Sequence, residues 1–378
     1  MTMRDKTAST ISTTESLIKK LTPILTSKPF NPLRPFTNNH AQTLLGYFYP
    51  RRYKLRSHLQ DKSHLFAIEK DIRLLAHCRW QKDKTNSPTI VLIHGLEGST
   101  ASVYMISTAA KAFRAGFNVV RLNMRTCGGT EHLATTVYHS GMYADFLAVI
   151  NQLIEQDKLN HIYLVGFSMS ANMVLHLAGR LRESLPDELK AVCAISPAVD
   201  VTASMVELHK RSNKIYHDRF LRSLLTRMRK KYELFPDLYD LSNIHKIKTI
   251  NDFDEEYTAH HAGYENAGAY YKGVSSFPVL NQIEKPTLII HAQDDPFIPF
   301  APLLDDSVKN NPNILLLEPE RGGHVGFVGS KNGTDYDRFW MEHRIVEFCK
   351  LIAGNTGIPV CNERESAKKN SPESNRKV

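Results

Sequence analysis

Ser168 lies in "IYLVGFSMSAN" (162–172), at the joint between an apolar, β-branched run and the helix-forming "MSANMVLHLAG". Gly166 and Ser170 stand two residues to either side. That is the pattern of a nucleophile elbow, a strand-to-helix turn that lifts the serine Oγ clear of the backbone. The turn brings the residues two before and two after the serine together, so both must be small. A serine hydroxyl is a poor nucleophile at neutral pH and needs a base held by a third group. Polar residues at the ends of the other apolar runs supply the candidates: His94-Gly95-Leu96-Glu97-Gly98-Ser99 after "TIVLI", Asp294-Asp295 after "PTLIIHAQ", and His324 after "NILLLEPERGG". The order serine, acid, histidine assigns Ser168 as nucleophile, His324 as base and Asp295, which opens "DPFIP", as the acid that orients it. Asp294 is expected to hydrogen-bond locally. Gly322, Gly323 and Gly326 are expected to give the histidine loop freedom to swing its ring. The oxyanion formed during acyl transfer needs fixed donors, expected from the backbone N–H groups of Met169 and Leu96. His94 and Glu97 are read as shaping that loop.

Other chemistry is weaker. His260-His261 has no third ligand at metal spacing, and Gly128-Gly129 is not followed by the lysine and serine of a phosphate loop. No metal or organic cofactor is required by the serine mechanism. The five cysteines, Cys78, Cys127, Cys193, Cys349 and Cys361, are scattered with no CxxC pair, which argues against a disulfide framework and for a reducing compartment. The start of the chain reads as no secretory signal, and apolar runs reach only five or six residues, so a soluble, cytoplasmic protein is expected. The net charge is +9. Residues 1–60 hold ten Lys or Arg against Asp5 and Glu15, a basic region read mainly as solvated, with peripheral contact to anionic lipid as the functional alternative; no aromatic-interleaved motif points to nucleic acid.

The elements that must position these residues have an alternating rhythm. Ser12-Thr13-Thr14-Glu15 fits a capping box ahead of an amphipathic helix through Leu17, Ile18, Leu21, Ile24 and Leu25, which Pro23 should kink or shorten. Residues 1–29 are read as this basic, amphipathic arm, its apolar face expected to pack against the protein's own core or fray, with a surface anchor as the alternative. From residue 63 come a hairpin, "HLFAIE" and "RLLAHCRW", and six short apolar strands, "TIVLIHG", "FNVVRLNM", "IYLVGFS", "AVCAIS", "PTLIIHAQDD" and "NILLLEPE". Helical spacings separate most of them, including one ending at Gly116 and a last one ending before Gly354. The pattern predicts an α/β fold with a mostly parallel sheet and helices on both faces, over residues 30–360. About 85 residues between "AVCAISPAVD" and "PTLIIH" exceed any single crossover and predict a mostly helical cap at about 200–280. The polar tail, 361–378, reads as disordered.

With these residues assembled, the chain resembles the YheT-like branch of the α/β hydrolases, the AB hydrolase 4 group. That group includes bacterial esterases, yeast ethanol acyltransferases and animal membrane-bound phospholipases. The specific stretches are "FNPLRPFTNNHAQTLLG", "HGLEGSTASVYM", "VVRLNMRTCGGTEH", "VYHSGMYADF", "VGFSMSANMVLHLAG", "NDFDEEYTAHHAGY", "YYKGVSS" and "DDPFIP". The resemblance implies an α/β-hydrolase fold, puts the charge relay on Ser168, Asp295 and His324, and supports Asp295 over Asp294. Two positions depart from the branch: Ser170 replaces the second elbow glycine, and Thr126 replaces a glycine after "NMR". Both are small, so altered local geometry is expected with activity kept. The sequence reads as having no counterpart of the animal members' N-terminal membrane helix, so a likeness to the soluble bacterial branch is expected.

The reading is a serine esterase on carboxylic esters. Tyr216, Phe220, Leu221, Leu224, Leu225, Tyr270 and Tyr271 in the insertion form either a medium-chain or lipid-like acyl pocket or the cap's own core. An acyltransferase uses the same residues, and a non-catalytic binding protein on the same scaffold is the alternative of another class. Oligomeric state is left open.

Overall fold

In the computed structural model, residues 17–51, 61–331, 335–355 and 357 are described. The expected capping box at 12–15 and the polar tail lie outside them. Residues 17–26 form helix α1, which runs through Pro23 to its last turn, where the Ser27 N–H donates to Pro23 O (3.1 Å). The helix ends three residues after Pro23, in keeping with the expected shortening, and Ile18, Leu21 and Leu25 bury their side chains on both sides of the proline. Helix α2 (Asn39–Phe48) follows, capped by the Asn38 side chain.

The apolar runs become strands. β1 (Lys62–Glu69) and β2 (Ile72–Arg79) form the hairpin; β3 (Thr89–Ile93), helix α3 (Val103–Arg114), β4 (Asn118–Leu122), helix α4 (Tyr143–Glu155), β5 (Ile162–Phe167), helix α5 (Met169–Leu181) and β6 (Leu189–Ile195) then alternate. The cap comprises α6 (Val201–Leu208), α7 (Lys214–Leu234), the short turns α8 (Ile250–Phe253) and α9 (Ala259–His261) joined by a π-helical turn (Asp254–Thr258), and α10 (Ala267–Val274). β7 (Thr287–Ile290), α11 (Asp306–Lys309), β8 (Ile314–Leu317) and α12 (Trp340–Asn355) complete the chain. α12 passes through Gly354, where a helix end was expected, and the left-handed glycine beyond it is Gly357 (φ 78°).

The eight strands lie in the order β1-β2-β4-β3-β5-β6-β7-β8. Only the β1–β2 and β2–β4 pairings are antiparallel. β3, β4 and β5 are buried at every position, as parallel strands covered on both faces must be. Alternate residues feed two cores. Ile90, Leu92, Tyr163 and Val165 pack with Leu25, Met105 and Phe348 from α1, α3 and α12. Val91, Ile93, Ile162 and Leu164 pack with Phe146 and Val149 of α4 and Val174 and Leu177 of α5. Each such side chain contributes about 1.5–3 kcal/mol. The α1 residues therefore join the fold's own core in preference to a free amphipathic face. The cap has cores of its own, around Leu221, Leu224, Met228 and Phe253, and around Tyr270 and Tyr271.

Candidate active site

β5 ends at Phe167 and α5 begins at Met169, so Ser168 alone makes the turn, at φ 56° and ψ −117°. A non-glycine residue there costs about 1–3 kcal/mol and persists only when its surroundings enforce it. They do. A Cβ on Gly166 would lie 2.4 Å from Ser170 O, and one on Gly95 would lie 2.9 Å from the Ser168 Cβ. The Ser168 N–H donates to Ile195 O (2.8 Å). Ser170 is fully buried; its Oγ accepts from the Phe167 N–H (2.8 Å) and donates to Ile93 O (2.7 Å). The residue that replaces glycine thus ties the end of β3 to the end of β5, and a glycine would remove both bonds.

His324 and Asp295 meet this serine across the sheet's C-terminal edge. The Ser168 hydroxyl donates to His324 Nε2 (2.9 Å), and His324 Nδ1–H donates to Asp295 Oδ2 (2.7 Å). An ionised carboxylate only accepts, so it fixes the proton on Nδ1 and leaves Nε2 free to accept. Asp295 Oδ1 accepts from the N–H groups of Phe297 (3.1 Å) and Ile298 (2.9 Å). Burial alone would favour the neutral acid, but the His324 charge and hydrogen bond, with these donors, hold the Asp295 carboxyl below its ordinary value. Asp294 points elsewhere: its Oδ1 accepts from the Gly323 N–H (2.9 Å), and burial raises its carboxyl above the ordinary value.

The histidine loop is pinned, contrary to the freedom its glycines suggested. Gly323 (φ 60°), Val325 (φ 52°) and Phe327 (φ 46°) all take left-handed conformations. A Cβ on Gly323 would sit 2.4 Å from Asn39 O, and one on Gly326 2.4 Å from Gln42 O. The glycines let α2 approach the loop. Thr43 Oγ1 accepts from the His324 N–H (2.9 Å), and the buried Gln42 side chain brackets the Val328 backbone. Sequence reading assigned α2 no part in the site.

The loop after β3 is held as firmly. The Gly95 N–H donates to Tyr104 Oη (3.0 Å), the Glu97 N–H to Tyr138 Oη (3.0 Å) and the Gly98 N–H to Gly95 O (3.0 Å). The Leu96 N–H lies between these fastened amides, and Leu96 and Met169 line the same cavity as Ser168. His94 donates from Nδ1 to Gly95 O (2.8 Å) and accepts at Nε2 from the Met124 N–H (3.1 Å). Burial, with Arg227 adding to it, drives its pKa down to about 4, so the ring is neutral and acts as a brace. Glu97 forms a bidentate pair with Arg227 of α7 (3.1 and 2.8 Å), which also donates to Thr126 O and Thr126 Oγ1. Thr126 takes a left-handed backbone (φ 61°), the region that favours glycine, and its hydroxyl accepts from Arg227.

Ser168 sits where two cavities meet. One, of about 110 Å³, lies beneath the cap and is lined by Phe220, Leu224, Phe253, Tyr270, Tyr271 and Phe297. The other is an open groove of about 430 Å³ between α2, α7 and the loop after β3, which Tyr216 lines and Phe220 shares. Leu221 and Leu225 belong to the cap core. His260 and His261 are exposed on α9 and join no cluster of potential metal ligands among the described residues.

The sequence model described as alpha/beta hydrolase fold matches residues 88–330. YheT of Escherichia coli (strain K12) is 30% identical over 325 residues, 85% of this chain and 93% of its own. The monoacylglycerol lipase of Saccharomyces cerevisiae is 30% identical over 275 residues, 70% of this chain and 59% of its own. Human phospholipase ABHD3 is 27% identical over 264 residues, 69% and 64% of the two chains. Among solved structures, the Pyrococcus furiosus esterase Pf2001 superposes with a TM-score of 0.51 at 16% identity, over 86% of this chain and 98% of that one, a likeness of fold.

Proposed function

The chain belongs to the α/β-hydrolase fold family, and from that premise we propose that it is a serine esterase acting on carboxylic esters. One observation carries the reading: a single imidazole bonds Ser168 Oγ on one side and a buried carboxylate on the other, at the junction of two cavities. Relatives named as a monoacylglycerol lipase and a phospholipase support ester bonds as the target.

Ser168 Oγ attacks the ester carbonyl carbon while His324 Nε2 takes the hydroxyl proton. Asp295 holds the ring's tautomer and stabilises the imidazolium. The carbonyl oxygen becomes an oxyanion, met by the N–H groups of Leu96 and Met169, the latter at the positive end of α5. The C–O bond to the alcohol breaks as His324 returns the proton to the leaving oxygen. Water, deprotonated by His324, then attacks the acyl-serine, and the acid departs as the proton returns to Ser168. The apolar cavity under the cap suits a medium-chain acyl group, and the groove beside α2 suits the alcohol. The catalytic unit takes in α1, whose Ile18, Leu21 and Leu25 join its core, with the cap at about 200–280. Because the groove reaches Ser168 directly, an alcohol can replace water in the second step, giving acyl transfer. A relative named medium-chain fatty acid ethyl ester synthase/esterase 2 accords with that second reading.

A fluorophosphonate probe should label the wild type and spare Ser168→Ala and His324→Ala. A folded wild type that stays unlabelled would sink the reading. An acyl-length series at constant alcohol should peak at medium chains; best turnover on acetates would remove the lipid-like version. New ester formed on adding ethanol would establish transfer.

A further inference from the structure

Helix α2 turns an apolar stripe to solvent at the mouth of the groove. Leu44, Tyr47 and Phe48, at the i, i+3, i+4 spacing of one helix face, are 41%, 46% and 71% exposed. The Tyr47 and Phe48 rings brace one another edge to face at 4.9 Å. All three line the groove that ends at Ser168 and His324. Across it Arg219 of α7 lines the groove; Ile215 (65% exposed) and Arg222 lie four residues before and three after it on the same exposed face, where Asp218 is paired with Lys214 (2.7 Å). The Arg219 guanidinium lies 5.0 Å above the Tyr47 ring, and neither arginine is paired with an acid among the described residues. Exposed large apolar residues scattered singly need no explanation, but a contiguous apolar ridge flanked by unpaired cations marks an interaction surface.

We infer that the α2 ridge and the outer stripe of α7 dock the protein on an anionic lipid surface, so that esters enter the groove from that surface. Rings and leucine insert at the acyl boundary while the arginines meet the headgroup phosphates, the division of labour of interfacial helices. The sign of the flanking charge selects an anionic surface. The groove leads from the ridge to Ser168, which gives the docking a use. That use rests on the esterase reading; the docking itself does not.

The test keeps the two apart by using the full chain with Ser168→Ala, which binds without turnover. Sedimentation with vesicles of phosphatidylglycerol and phosphatidylcholine should carry the protein down, salt should release it, and vesicles of phosphatidylcholine alone should carry far less. Tyr47→Ser with Phe48→Ser, and separately Arg219→Glu with Arg222→Glu, should each weaken binding about tenfold or more. These positions are exposed, so thermal unfolding should match the parent and exclude misfolding as the cause. Absence of binding, equal binding to both vesicle types, binding that both double variants retain, or displacement from vesicles by a single-stranded oligonucleotide would each overturn the proposal. Retention by both variants would shift the contact to the basic residues near the N-terminus.

Discussion

The cavity beneath the cap and the groove beside α2 share Ser168, Leu96, Phe220 and Phe297, yet they are built in opposite ways. The cavity's walls are residues of the cap's cores, including Leu224, Phe253, Tyr270 and Tyr271, all buried. Such walls cannot yield without opening voids or clashes elsewhere, so they discriminate by volume. The groove's outer wall is a helix face half in water, which accommodates different shapes at little cost. On the proposed placement of acyl group in the cavity and alcohol in the groove, the contrast predicts strict selection of the acyl half of an ester and tolerance of the alcohol half.

The largest expected effect erases the contrast altogether. Ser168→Ala should lower kcat/KM about 10⁴-fold or more for every ester, whatever its acyl or alcohol part. Residual turnover within tenfold of wild type would move the chemistry away from the junction. Arg227→Ala attacks the bridge between the two, since Arg227 lines the cavity and its partner Glu97 lines the groove. It strands Glu97 beside the loop after β3, and breaking such a buried pair costs about 3–5 kcal/mol. Its thermal midpoint should fall and both the acyl-length and the alcohol profiles flatten. An unchanged midpoint would deny the bridge between cap and loop.

Asp254 tests the closed side through pH. Burial raises its carboxyl from an ordinary 3.8 to about 6, with Thr258 and Tyr271 hydrogen bonds opposing the rise. Between those values the folded chain keeps a proton that the unfolded chain has lost, so stability falls as pH rises through the window, by about 3 kcal/mol. Asp254→Asn should flatten that slope. A variant that tracks the wild-type midpoint from pH 4 to pH 7, as about the limits of the window, would contradict it. The smallest effect is the sharpest comparison: Leu224→Ala should favour acyl chains longer by one or two methylenes about tenfold, and Tyr47→Ala should change only alcohol preference. Loss of selectivity on both sides in either variant would merge the two cavities into one.

What was legible beforehand follows the range over which the chain speaks to itself. The strands and helices were readable because periodicity is local, and Ser168, Asp295 and His324 stood out because each interrupts or follows an apolar run. The supports were not readable. Thr43 reaches His324 across 281 residues, and Arg227 reaches Glu97 across 130. No pattern within either segment announces its partner. The glycines around His324 were visible but their use was misread, since a glycine that frees a loop and one that admits a neighbouring helix look alike until the neighbour is known. Gly354 erred in the same direction: Ile352 and Ala353, buried in the core, carry α12 past it. Ser170 is a visible departure in the sequence, while its bridge between β3 and β5 depends on strands that meet only in the fold.

The burial of α1 bears on how the chain must be made. Ile18, Leu21 and Leu25 share a core with Ile345, Phe348 and Ile352, and Lys28 O receives the Trp340 indole N–H (2.7 Å) across 312 residues. During synthesis the first helix emerges long before its partner exists. At roughly 5–20 residues per second it waits some tens of seconds with three apolar side chains uncovered. The apolar face of α1 is therefore covered only once α12 has been made, so the completion of α12, more than any catalytic element, sets the moment at which this core can close.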